Sequence, residues 1–115
     1  MQPQTKLTDS VWAMNKYIGE RELFYSLKDN SSERKQLTIR VSEPYLLKEG
    51  MVNFAFSHGT ACCTISFDGL DEPSVDIYGM DTLQALEMAV DTDPYLKGMS
   101  KKYDFYWLDG EPYFD

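Results

Sequence analysis

Gly79-Met80-Asp81-Thr82-Leu83-Gln84-Ala85-Leu86 is the stretch at which the apolar periodicity of the chain changes from that of a strand to that of a helix. Asp81 predicts the N-cap, because its short carboxylate can accept a backbone N–H of the first turn. Gln84, three residues on, predicts a capping box closed back onto the N–H of Asp81. Leu83, Leu86 and Val90 recur at helical spacing and predict the face laid on a sheet. Asp93-Pro94 either ends this helix or opens a second one, since proline suits a first helical turn.

Upstream of that point the pattern alternates. Leu23, Tyr25 and Leu27 fall on one face of a strand, with Glu22, Phe24 and Ser26 on the other. Leu37, Ile39 and Val41 alternate with Thr38, Arg40 and Ser42. The polar residues 29–35 between these runs predict the connector of an antiparallel hairpin. Glu43-Pro44-Tyr45 breaks the second strand, because proline cannot donate to a ladder. A second pair is expected from residues 51–56, with Val52, Phe54 and Phe56 on one face, and from Ala61, Cys63, Ile65 and Phe67. Ser57-His58-Gly59 is the turn between them. Val75 and Ile77 form a further short strand with Asp76 and Tyr78 outward, after the turn at residues 68–73. Downstream of the helix, residues 98–102 read as a loop and residues 103–108 as a last strand, closed by Asp109-Gly110. Residues 10–18 fit either a short helix capped by Asp9 or Ser10 or an edge strand. The expected fold class is α+β: an antiparallel β-meander of about five to six strands with one main helix packed on one face.

At 115 residues the chain fits a single domain, 1–115, able to bury a core without staples. Hydrophobic residues at 43% and aromatics at 14% exclude a disordered chain. No apolar run approaches a membrane span, and the first residues carry no apolar signal region, so a cytoplasmic protein is expected. The only cysteines, Cys62 and Cys63, are adjacent and point to opposite faces of a strand, so they are not expected to pair. One is expected in the core and the other more exposed.

Charge is distributed unevenly. Residues 1–58 hold 8 basic and 7 acidic side chains, net +1, whereas residues 59–115 hold 3 basic and 12 acidic, net −9. Between Asp68 and Asp93 there is no lysine or arginine. Such a field repels nucleic acid and anionic membrane and attracts basic protein surfaces; it also serves solubility. Catalytic patterns are scarce: no Gly-rich phosphate loop, no nucleophile elbow and no zinc-ligand spacing. A dyad of Cys62 or Cys63 with His58 would sit in acidic surroundings that do not favour a thiolate. Asp68-Gly69-Leu70-Asp71-Glu72 lacks the ligand alternation of a calcium loop. No cofactor or metal is expected. The aromatic tail, with Tyr103, Phe105, Tyr106, Trp107, Tyr113 and Phe114 among acids, suits core on one side and protein anchoring on the other. A nucleic-acid stacking platform would pair such rings with cations instead.

The segment Ile18-Gly19-Glu20-Arg21-Glu22-Leu23, the β-rich middle and above all the octet from Gly79 to Leu86 resemble a family of short uncharacterised bacterial proteins. There a β-meander runs into a Gly-x-Asp-Ser/Thr-Leu-Gln-Ala-Leu helix. The similarity spans residues 18–90, only the helix motif is specific, and residues 54–67 depart from it. The resemblance implies the fold (glycine turn, cap, core-facing helix) and assigns no activity. By type rather than motif, the profile is similar to immunity proteins of bacterial toxin systems such as contact-dependent growth inhibition. In those systems a basic nuclease toxin domain is neutralised by a small acidic partner. The expected function is therefore binding of a basic, nuclease-type toxin domain so as to cover its active site. The partner-binding residues are expected to be Asp68, Asp71, Glu72, Asp76, Asp91 and Asp93, with Tyr78 among them. From the tail, Asp104, Tyr106, Asp109, Glu111 and Tyr113 would join them. A non-enzymatic adaptor domain of unrelated function is the alternative, and an enzyme using Cys63 or His58 a third.

Overall fold

A computed structural model describes residues 16–114. Residues 10–15 of the ambiguous first element lie outside the described residues; from Tyr17 onward that element is strand. The order is β1 (Tyr17–Leu27), β2 (Asn30–Ser42), β3 (Tyr45–Leu46), β4 (Ala61–Asp68), β5 (Val75–Gly79), α1 (Thr82–Val90), α2 (Asp93–Gly98) and β6 (Tyr103–Tyr106). The class is α+β. One curled six-stranded sheet runs β3-β4-β2-β1-β6, with β5 on the free side of β4. All its pairings are antiparallel.

The alternating residues build one core face, as expected. Leu23, Leu37, Ile39, Ala61, Cys63, Ile65 and Ile77 are all buried, and Ala85, Ala89, Leu96, Tyr103 and Phe105 close over them. Leu27, expected on the same face, is exposed at the hairpin end of β1. The connector is shorter than expected: Lys28 and Asp29 alone turn the hairpin, and residues 30–35 continue β2 through a bulge.

The proline break takes a specific form. β2 and β3 lie along the same edge of β4, at residues 65–68 and 61–62, as one strand bent at Glu43 and Pro44. At the bend Ser42 Oγ accepts the N–H of Thr64 at 2.9 Å, replacing the ladder bond that the bend removes.

Residues 51–56 are not a strand. Both edges of β4 are already taken, by β2 with β3 and by β5, so the alternation there has no partner. The segment instead reaches the other side of the sheet, where Phe54 meets Tyr78 edge to face at 5.3 Å. Both sides of β4 at Cys62 and Cys63 are therefore buried, and neither thiol is exposed.

α1 is capped as read, with one shift. Asp81 Oδ1 accepts from Gln84 N at 2.8 Å, while Gln84 Oε1 accepts from Met80 N at 2.7 Å, one residue before the cap. Its orientation differs from expectation. The buried positions are Ala85 and Ala89; Leu83 and Val90 face outward at 77% and 55% exposure. Gly79 explains this, since a Cβ there would lie 2.4 Å from Ala85 N. The helix seats so close to the end of β5 that only small side chains fit beneath it. Asp93-Pro94 opens α2, with Pro94 in its first turn. The last strand stops at Tyr106, and the tail doubles back, pairing Tyr106 with Pro112 across a turn at Gly110. Among the described residues no helix is long and apolar enough to cross a membrane.

Candidate functional site

The acids of the second half occupy three places rather than one. Asp68, Asp76, Tyr78, Asp104 and Tyr106 stand on the sheet face opposite α1, at positions set by strand alternation. Asp68 is engaged: Arg40 donates to it and to Glu20, both at 2.9 Å, bridging three strands. Asp104 pairs with Lys28 of the hairpin turn. Asp76 accepts from Thr64 Oγ1 at 2.8 Å, and beside it burial pushes the Tyr45 hydroxyl and the Cys62 thiol upward in pKa. Tyr106 is buried, not a surface anchor. Its hydroxyl bonds Ser26 Oγ at 3.0 Å and its ring lies 3.6 Å beneath the Arg34 guanidinium.

Asp71 and Glu72 belong to the loop between β4 and β5. Glu72 accepts from Lys102 Nζ and Tyr103 Oη, both at 3.0 Å, and these bonds hold its carboxyl below the usual range. Asp71 is exposed beside a notch it lines with Lys35 and Tyr103.

The third place joins the helices to the tail. Asp91 follows α1, and Asp93 in α2 accepts from Tyr113 Oη at 2.6 Å, which in turn accepts from Arg21 at 2.7 Å. Burial first, then Asp93, raises the Tyr113 pKa. Trp107 stacks obliquely on Tyr113 at 4.6 Å and stays 42% exposed, with Arg21 5.7 Å from its ring centre. Asp109 accepts the N–H of Glu111 at 3.0 Å to shape the tail turn. Trp, Tyr and Arg in one partly exposed cluster form the composition typical of interface anchors.

Sequence reading placed Leu83 and Val90 in the core, and so missed the outward side of α1. Met80 is 79% exposed and Leu83 77%, with Met88 and Val90 about half exposed. Asp81, Glu87 and Asp91 accompany them. From Gly69 to Leu96 the chain has no basic side chain, so no cation of this segment offsets these carboxylates. The signal that could have revealed this side was the pair Ala85 and Ala89, one turn apart and opposite a glycine.

The other reactive groups are not set up as nucleophiles. Burial pushes the Cys63 thiol up to about 11 and raises Cys62 as well, so neither is thiolate near neutrality. His58 sits exposed in its turn. Among the described residues no three His, Cys, Asp or Glu side chains gather as a metal site. Compared with known proteins, the chain matches no family model, no curated protein and no solved structure.

Proposed function

We propose that this chain is a non-enzymatic acidic binding protein, an immunity protein that neutralises a cognate basic, nuclease-type toxin domain by covering its active site, as in contact-dependent growth inhibition. One observation carries the reading: α1 turns large apolar side chains outward among carboxylates, with no basic residue from Gly69 to Leu96. Exposed apolar surface rimmed by one sign of charge is a pattern of interaction sites. Carboxylates around it would speed encounter with a cationic domain, and the apolar side chains would slow its release. Asp68, Glu72 and Asp104 contribute less, because each already holds an internal cation. Asp91 and the Trp107–Tyr113 cluster contribute more, whereas Asp76 faces the other side of the sheet from α1.

The test is co-expression with the C-terminal domain of any large secreted protein encoded beside this gene. Growth should be rescued, and association should slow as KCl rises. Glu87→Lys with Asp91→Lys should lower the association rate roughly tenfold, and it is benign to the fold because cations suit a helix C-terminus. Equal association rates for the two proteins at every salt concentration would overturn the assignment to this surface.

A further inference from the structure

β1 is longer than the strand on one of its sides. β2 accompanies it from Tyr17 to Leu27, whereas β6 pairs only with Phe24 to Leu27. Among the described residues, residues 17–23 therefore have a strand neighbour on one side alone. Alternate backbone N–H and C=O groups of that stretch point away from β2, as in any edge strand. Residues 17–22 are exposed. Beside this edge runs a groove of about 170 Å³ with Ile39 and Val41 in its lining, Ile18 on the strand side and Val90 on the helix side. Ile18 and Val90 are 46% and 55% exposed. Among the described residues nothing lies within 4 Å of where a Cβ on Gly19 would stand, so they leave the way in open.

We propose that this edge and groove accept an extended segment of the partner protein as an added β-strand, one that alternates aliphatic residues with lysine or arginine. The inference rests on the binding role above and specifies its mode. Alternate side chains of an added strand point to opposite faces of the sheet. On the helix-covered face they meet the aliphatic groove. On the other face they stand beside Glu22, bonded only to neutral Gln36, and beside Glu20, which shares Arg40 with Asp68 and so attracts less. Opposite charges side by side across strands stabilise a pairing and like charges oppose it. Asp91 lies in the chain between the lining residues Val90 and Thr92, and among the described lining residues the cation, Arg21, is already bound to Tyr113. A second copy of this chain is a poor occupant, since its own edge would set Glu20 and Glu22 against their counterparts. Backbone bonds would supply affinity and the alternating side chains specificity.

The probe is a synthetic octapeptide alternating valine and lysine, titrated at low salt into the full chain and followed by amide hydrogen exchange. Saturable one-to-one binding is expected, with the amides of residues 17–22 that point away from β2 exchanging at least tenfold more slowly. N-methylation of alternate peptide amides, replacement of lysine by glutamate, or Val90→Lys in the chain should each weaken binding at least tenfold. Val90 is exposed, so that variant keeps the fold. Equal binding by the N-methylated peptide, protection elsewhere, or slow exchange in the free chain of those amides in residues 17–22 that point away from β2 overturns strand addition. In any of those cases, salt-dependent rescue from the toxin domain leaves the immunity reading standing. Conversely, strand addition without any rescue removes that reading and leaves the site.

Discussion

A methyl group at Gly79 has no room. Its carbon would lie 2.4 Å from Ala85 N and 2.9 Å from Ala85 Cα, and both are backbone that cannot rotate aside. Gly79→Ala should therefore lever α1 off β5 and destabilise by about 2–3 kcal/mol, the range of overpacked cores. Gly98→Ala, at the end of α2 with nothing among the described residues within 4 Å, should stay within about 0.5 kcal/mol. Urea unfolding of the two variants measures the contrast. Cys63 yields a second prediction at this scale. Its thiol is raised from 9.0 to about 11 in the fold, because burial penalises the thiolate. An acid raised on folding stabilises fully below its unfolded pKa, and that contribution disappears as pH climbs to the folded one. The urea midpoint should thus fall between about pH 9 and about pH 11. In Cys63→Ala the fall should be shallower but still present, since Cys62 and Tyr45 are raised in the same direction. An unchanged alkaline slope in that variant would show that Cys63 is not the group responsible.

Among the elements, α1 best separates what was legible from what was not. Its start was readable because a cap is local chemistry: Asp81 and the amide of Gln84 lie within one turn. Asp81→Ala should cost about 1 kcal/mol of stability. Its facing was not readable, because the choice between the Leu83–Val90 side and the Ala85–Ala89 side is made by the separation of helix and sheet. That separation depends on Gly79 and on the end of β5, a tertiary fact. Leu83→Lys should accordingly change stability by no more than about 0.5 kcal/mol, whereas Ala85→Leu should destabilise by about 3 kcal/mol. The reverse order would mean the helix is turned as periodicity suggested. The strands behave similarly. Ile39, Cys63, Ile65 and Ile77 were legible as core because a period of two leaves one buried face once register is set. Residues 51–56 alternate just as well, yet no edge of β4 remained for them, and alternation records amphipathicity without recording a vacancy. The bend at Glu43 and Pro44 was visible as a break. That Tyr45 and Leu46 would rejoin the same edge of β4 was not.

Over the whole molecule, charge density along the chain translates only partly into a surface. The run from Asp68 to Asp93 crosses a strand end, a loop, an outer strand and α1 into the start of α2, so its carboxylates part to three places. Asp68 of this run and Asp104 beyond it find cations from the less acidic first half, Arg40 and Lys28. These pairs are exposed and contribute little each. What remains is a net charge of −8 on a 115-residue chain, with no basic residue in the segment from Gly69 to Leu96 that contains α1. Like charges on a compact body repel, and unfolding separates them, so the field opposes folding as it attracts a cationic partner. Mobile ions screen both effects over about 10 Å at 0.1 M. Raising KCl from about 0.02 M to about 0.3 M should therefore raise the urea midpoint of the free chain. Over the same range, association with a basic toxin domain should slow. Glu87→Lys with Asp91→Lys should flatten both responses together, because it removes the same unscreened carboxylates. A midpoint that falls with salt would instead mean that the internal ion pairs outweigh the repulsion. The acidic side of α1 would then exert no net repulsion on the fold, and the electrostatic case for docking there would fail with it.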